Sequence, residues 1–329
     1  MMTAKENFFR TLAGDSPERL VNGWEPFAMI ANDPLRIRLR ASRKRGEETV
    51  DVWGTHFIWQ MDQPGAAPHI TPENKVIKDI TRWQCDLKVP DYLREPADWS
   101  AALEAAAQAR HEDKLVTALM TGGIFEQAHF LMGIEDTLCN LLLEPEHMAE
   151  LLQVILEYKL AYARLLVENL KPDIVLSHDD WGEKTRLFMS PETWRKFFKP
   201  LYARLYGYLK SNGVMVMHHA DSYCEPIVED MAELGVDIWQ GVLPQNDIPA
   251  MQRRLAGRMV LMGGIDTAAI DVAGWTEQAV RAEVRRACEA YGPGGAFIPS
   301  NTYGGTSTIH PEVDAITADE IDRYNKRQD

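Results

Sequence analysis

Two short stretches of the chain concentrate groups that bind metals or move protons. His218-His219-Ala220-Asp221-Ser222-Tyr223-Cys224 holds imidazole, carboxylate and thiol groups, all of them zinc-type ligands. Asp221, two residues past His219, shares its side if the chain stays extended. Alternatively, Asp221 or Ser222 caps a helix opening near Glu225-Pro226. The second stretch, His178-Asp179-Asp180-Trp181-Gly182-Glu183, crowds carboxylates beside a histidine. Neighbouring carboxylates share protons for acid–base work or ligate a cation. The alternative is that one of the two aspartates braces a loop by hydrogen bonds. His219 and Asp221 are therefore candidate metal ligands or an acid pair, with His218 and Cys224 as further ligands. Glu126, Asp180 and Glu183 are candidate acid–base groups. His129 and Tyr303 are candidates to hydrogen-bond a substrate heteroatom. Trp53, Trp181 and Trp239 are candidates for an aromatic wall, with plain packing as the alternative.

Such groups need elements to position them. From about residue 115 short apolar runs alternate with amphipathic stretches. The runs are Leu115–Met120, Ile174–Ser177, Val214–Met217, Val236–Trp239, Met259–Met262 and Ala296–Pro299. Each is apolar without alternation, as in strands buried on both faces of a parallel sheet. Between them, Glu146–Leu170 carries Leu151, Leu152, Ile155 and Leu156 at helical spacing. Ser190-Pro191-Glu192 opens a further helix that stops near Asn212-Gly213. Repeated βα units imply a parallel sheet. With Val21–Phe27 and one strand near Val50–Trp59 or Leu115, the count reaches about eight, the number a (β/α)8 barrel needs. An open doubly wound sheet competes, but it would carry a glycine-rich phosphate loop after its first strand. Here that place holds Gly23-Trp24-Glu25-Pro26. The expected fold is an α/β, TIM-like barrel spanning residues 1–329 as one domain, with an N-terminal helical extension. Chemistry in a barrel gathers just after the strands. The runs lead into Thr121-Gly122-Gly123 with Glu126 and His129, then the two stretches above, then Gln240, Gly263-Gly264 with Asp266, and Ser300-Asn301-Thr302-Tyr303. Polar groups at successive strand ends converge on one concave site.

Composition narrows the partners. The chain has 329 residues and a formal net charge of −14, which argues against nucleic acid held by counterion release. Its one basic block, Arg36–Arg45, reads as a solvated helix face. Met1–Thr11 lacks a signal peptide's apolar stretch, and no window approaches 18 uncharged apolar residues. Cys85, Cys139, Cys224 and Cys288 form no CxxC pair, so reduced thiols and a cytoplasmic setting are expected.

These residues, in this order, resemble the uroporphyrinogen decarboxylase superfamily, and most closely its corrinoid-dependent methyltransferase branch. The resemblance rests on Glu6-Asn7-Phe8-Phe9-Arg10-Thr11-Leu12-Ala13-Gly14-Asp15, Val50-Asp51-Val52-Trp53-Gly54 and Gly122-Gly123-Ile124-Phe125. It continues through Asp179-Asp180-Trp181-Gly182, Ser190-Pro191-Glu192, Phe198-Lys199-Pro200, His219 to Ile227, Met231 to Asp237, and Gly263-Gly264-Ile265-Asp266. It implies a distorted barrel with its site at the C-terminal strand edge. The decarboxylase branch carries an Arg-Gln-Ala-Gly-Arg motif after its first strand to pair with substrate carboxylates. Here that place reads Glu25-Pro26-Phe27-Ala28-Met29-Ile30, while Asp51 stands where that branch keeps its central aspartate. The methyltransferase branch holds zinc by His-x-Cys and a later Cys. His219 matches its histidine, Asp221 replaces the first cysteine, and Asn301 or Thr302 stands near the second. A His/Asp site suits an oxygen or nitrogen donor better than a thiol. The resemblance therefore implies a methyltransferase, with zinc as its cofactor, moving a methyl group from a small methoxylated or methylamine donor to Co(I) of a corrinoid protein partner. On that reading Asp51, Trp53, Trp181, Asn301 and Tyr303 line the substrate site. A decarboxylase, or a barrel that binds a small molecule without catalysis, is the alternative.

Overall fold

Runs of apolar residues form strands wherever both faces find cover, and Leu115–Met120, buried at every position, is the clearest case. The computed structural model describes residues 2–40, 44–61, 63, 65–120, 122–303 and 308–328. In chain order the strands are β1 Phe27–Ile30, β2 Glu48–Val50, β3 His56–Ile58, β4 Ala67–Pro68, β5 Leu115–Met120, β6 Ile174–His178, β7 Met215–His219, β8 Ile238–Val242, β9 Val260–Gly264 and β10 Phe297–Ser300. The order β1-β5-β6-β7-β8-β9-β10 makes one curled sheet, parallel throughout, with helices between successive strands. This is an α/β TIM-like barrel.

Strand register stacks the barrel interior in layers. Ile174 pairs with Met215; Leu176 lies beside Met217, which lies beside Ile238; His178 lies beside His219, which lies beside Gln240. The lower layers are apolar and the top layer is polar. Phe8 closes the other end. It comes from the helix Ala4–Ala13, which a Thr3/Glu6 capping box starts and left-handed Gly14 stops. Its ring is fully buried and meets Phe27 edge-on at 5.0 Å. No helix among the described residues is long and apolar enough to cross a membrane.

Two expectations fail. Val21–Phe27 is not a strand: the chain turns through Asn22–Pro26, and pairing begins only at Phe27. Val50–Trp59 does not join the barrel. Asp51 accepts hydrogen bonds from the N–H groups of Trp53 and Thr55, both at 2.9 Å, and Gly54 has φ +85°. That Asx-type turn folds β2 back onto β3 as part of a separate antiparallel sheet, β2-β3-β4. Among the described residues the parallel sheet has seven strands, not eight.

Strands β6 to β10 also end later than the apolar runs do. β6 includes His178, β7 both histidines, β8 Gln240 and β9 the two glycines. Backbone pairing continues past the last apolar side chain, because the ladder bonds do not depend on side-chain polarity. The polar residues expected in loops therefore sit on strands, where side chains alternate between faces.

Candidate metal centre

His178 and His219 share the inner face, so His218 and Ser177 must point outward to the helices. The two inward imidazoles stack, with centroids 4.4 Å apart and planes 20° from parallel. Asp180, just past β6, brings Oδ2 to 4.0 Å from His178 Nε2. One ligand atom from each of His178, Asp180 and His219 lies within 4.8 Å of the others. Two imidazoles and a carboxylate suit a divalent metal, and three protein donors leave coordination positions for substrate or water.

Each donor is held from behind. Glu126 Oε2 bonds His178 Nδ1 at 2.8 Å, and Gln240 Oε1 bonds His219 Nδ1 at 2.5 Å. Gln240 Nε2 donates to the carbonyls of Tyr303 at 3.0 Å and Asn301 at 3.5 Å, which fixes its amide orientation. An amide oxygen only accepts, so His219 Nδ1 carries the proton and its Nε2 keeps the lone pair. Asp180 Oδ1 accepts the N–H of Asp221 at 3.0 Å. Outer partners of this kind orient metal ligands and set their tautomers.

The charges are crowded. Burial alone would lower the pKa of His178, but Glu126, with Asp180 and Asp221, pushes it up to about 10. Burial and the charge of His178 hold His219 well below the usual imidazole range, so it is neutral. Burial and the neighbouring Asp221 raise Asp180 well above a normal carboxylate; burial pushes Asp221 up to about 6 against the pull of His178. A metal ion that displaces the His178 proton from Nε2 puts its own charge among these carboxylates, so the donor set fits a metal on charge as well as geometry.

Asp179 and Asp180 divide the two roles their sequence left open. Asp179 is fully buried and braces the fold. Its carboxylate accepts the N–H groups of Phe125 at 3.0 Å and Glu126 at 2.8 Å, the Trp181 indole N–H at 2.9 Å, and the Tyr202 hydroxyl. Tyr202 in turn accepts the N–H of Ile124 at 3.0 Å. The open N-terminus of the helix Ile124–Met132 is thus capped from β6. A Cβ on Gly123 would lie 2.1 Å from that of Asp179, so only glycine fits. The cap holds Glu126, whose Oε2 also accepts the N–H of Gly123 at 3.1 Å, against His178.

Other expected residues lie elsewhere. His218 stacks on Trp181 at 4.1 Å and bonds the Tyr206 hydroxyl at 2.7 Å, on the face away from the cluster. Burial lowers its pKa to about 3. Cys224 is buried against Ser222 Oγ at 3.3 Å and is not one of the three converging donors. Nor is Asp221, which stands beside Asp180. Glu183 is exposed and pairs with Arg186 at 2.7 Å. His129 sits one turn past Glu126, half-buried between Phe125 and Phe130. The tryptophans form no wall. Trp53 packs edge-on against Tyr158 at 4.7 Å, Trp181 against Trp194 at 4.9 Å, and Trp239 donates to the Ala220 carbonyl at 3.0 Å. Asp51 is engaged by its own turn. Asn301 Nδ2 bonds Asp314 at 2.8 Å, and Tyr303 stands half-buried beside Asp271 and Asp221. Thr121 and Gly304-Gly305 lie outside the described residues. Sequence reasoning placed Gln240 at a strand end without giving it a role, and passed over the buried Lys159. Register could have flagged the first. The second is a lysine four residues past Ile155 on a buried helical stripe.

Cysteine chemistry checks this arrangement. Burial raises the thiols of Cys224 and Cys288 to about 12, whereas Cys85 and Cys139 are exposed. The thiolate is the nucleophile. Counting modified thiols with iodoacetamide at pH 8 is expected to show Cys85 and Cys139 reacting in the native protein, and Cys224 and Cys288 only after denaturation. Rapid modification of native Cys224 contradicts its place in the core.

A model of the family described as uroporphyrinogen decarboxylase (URO-D) matches residues 59–323. The fold is similar to that of a methyltransferase from Methanosarcina mazei, with a TM-score of 0.68 and 17% identity over 98% of this chain and 99% of that one. At that identity the likeness is one of fold. The catalytic domain of a GH26 endo-β-1,4-mannanase from Bacillus sp. JAMB-750 gives a TM-score of 0.41 and 9% identity over 98% of this chain and 90% of that one, too distant to bear on function. No curated protein matches the sequence.

Proposed function

The chain belongs to the uroporphyrinogen decarboxylase family, and from that premise we propose that it transfers a methyl group from a small methoxylated or methylamine donor to Co(I) of a corrinoid carried by a partner protein. The observation that carries this reading is the convergence of His178, Asp180 and His219 at the C-terminal edge of the barrel, each held by an outer hydrogen bond. His178, Asp180 and His219 would hold a divalent ion such as zinc. When bound, it supplies Lewis acidity to the heteroatom that the methyl group leaves. Imidazole and carboxylate donors, with no thiolate among the three, suit an oxygen or nitrogen donor.

The protein's own groups do the rest. Glu126 and Gln240 hold the two rings at fixed angles, and the N–H of Asp221 holds Asp180. The Asp221 carboxyl, pushed up to about 6 by burial, can carry a proton at its oxygen near neutral pH and give it to the departing heteroatom. All four cysteines are free, which fits a reducing compartment such as the cytoplasm.

Charge weighs against the decarboxylase alternative. Glu126, Asp180 and Asp221 crowd the site, and a substrate bearing many carboxylates would be repelled. The arginines after β1 are engaged elsewhere. Arg36 Nη1 donates to the Ala31 carbonyl at 2.9 Å; Arg38 binds the Pro96 carbonyl at 3.0 Å and pairs with Glu95 at 3.6 Å.

The test supplies zinc-loaded protein and a competent reduced corrinoid protein with a panel of methoxyarenes and methylamines. The methylcobalamin absorbance is expected to rise with at least one donor. No transfer across the panel sinks the proposal, and carbon dioxide release from uroporphyrinogen selects the decarboxylase instead.

A further inference from the structure

Strands β8 and β9 pair regularly up to Gln240 beside Met262, and the next pair is Val242 beside Gly263. Gly241 is therefore an extra residue, a bulge in a parallel ladder, where bulges are rare. Its φ of +95° is a conformation that favours glycine. The extra residue resets the alternation of side chains. Gln240 points inward to His219, and without the bulge Val242 would point inward as well. Instead Val242 is fully buried in the outer core with Trp239. The bulge fits because Gly263 faces it: a Cβ there would lie 2.6 Å from the Val242 carbonyl oxygen and 2.7 Å from its nitrogen. Gly241 also borders the metal centre. A Cβ on it would lie 3.0 Å from His219 Nδ1, 3.0 Å from His219 Cε1 and 3.0 Å from the Ala220 carbonyl oxygen. That carbonyl is held in place. It accepts the Trp239 indole N–H at 3.0 Å, and the Ala220 N–H donates to the Gln240 carbonyl at 3.1 Å. The ring is confined too, with His178 stacked on its face and Gln240 on its Nδ1.

We infer that Gly241 is a positioning residue for His219: the bare backbone of the bulge leaves an alcove for the Nδ1–Cε1 edge of the ring, which keeps Nε2 turned to the metal centre. The inference rests on the metal reading proposed above. Its physical basis is steric. Non-bonded atoms attract best at about 3.5–4.0 Å, so a methyl group at 241 would press on that edge. The ring would turn away from Gln240, and Nε2 would turn with it. Bulges beside active sites re-aim side chains in this way.

Two measurements on the full chain test it. The first is Zn2+ affinity by competition with a chromophoric chelator. Gly241→Ala is expected to weaken binding about 10-fold or more, as when a ligand's outer partner is disturbed. The control is Gly257→Ala, in the turn before β9 at the opposite end of the barrel, where φ is +80° and a Cβ would meet nothing within 4 Å. It brings a similar backbone strain, so it is expected to lower the urea midpoint while keeping Zn2+ affinity within about twofold. Unchanged Zn2+ affinity in Gly241→Ala overturns the inference. The second measurement is the urea midpoint of the metal-free proteins. His219→Ala removes the ring, so adding Gly241→Ala is expected to lower the midpoint less than it does in the unmodified protein. Additive losses mean that the new methyl group strains only the backbone, which overturns the inference. If Gly241→Ala alone does not fold, recovery of folding in the double variant supports the inference and no recovery overturns it. If the unmodified protein binds no zinc, the metal reading fails, and the urea comparison alone decides whether Gly241 sets the ring.

Discussion

His219→Ala is expected to strip the divalent metal from the protein and to lower methyl transfer at least about 10³-fold. His219 is neutral, with its Nε2 lone pair kept free by the Gln240 bond to Nδ1. Without it, only His178 and Asp180 remain of the three converging donors. Two protein donors make a poor site for a divalent ion. Lewis-acid help at a leaving heteroatom is worth several kcal/mol, and each 1.36 kcal/mol is tenfold in rate, which sets the expected loss. The neighbouring residue gives the control. His218 faces the helices, so His218→Phe is expected to leave about one metal per chain after dialysis. Metal analysis of both variants by mass spectrometry decides. If His219→Ala keeps full metal content, His219 is not a ligand, and the centre proposed at His178, Asp180 and His219 is misplaced.

The two adjacent aspartates should respond in opposite directions when replaced. Asp179→Ala removes the acceptor of four hydrogen bonds and leaves two helix N-terminal amides, an indole N–H and a hydroxyl without it in a dry interior. A buried donor left unpaired costs about 1–3 kcal/mol, so losing several together is expected to cost several kcal/mol. Asp180→Asn keeps an oxygen for the Asp221 N–H while removing a charge that burial and Asp221 both disfavour. The metal-free Asn variant is therefore expected to be more stable than the unmodified protein, at the expense of metal binding. Urea denaturation of the metal-free proteins measures both. Equal destabilisation by the two substitutions would mean that Asp180 is a brace too, with no conflict between stability and binding stored at the site.

How far the sequence could be read differs between neighbouring residues. Each apolar run from Leu115 onward did become a parallel strand, since a stretch buried on both faces has few other folds open to it. Val50–Trp59 misled because its apolar and β-branched residues suit an antiparallel hairpin equally well. What turned it was Asp51 bonding its own chain at Trp53 and Thr55. His218-His219 read as a pair of ligands because composition carries no parity. Once β7 extends through both, alternation sends one to Gln240 and the other to Tyr206. Glu183 lies close in sequence to Asp180, yet it pairs with Arg186 at the surface, because chain proximity does not set direction.

By itself the sequence determined the βα alternation, the polar groups at successive strand ends, and the family. These depend on local pattern and residue type, which the chain carries wherever it goes. Tertiary structure alone decided which of two aspartates braces and which one joins the cluster, which of two histidines faces inward, and that Glu126 and Gln240 stand behind the site. Those choices depend on strand register and on partners far apart along the chain: Glu126 meets His178, and Gln240 meets His219, only when the sheet brings their strands together.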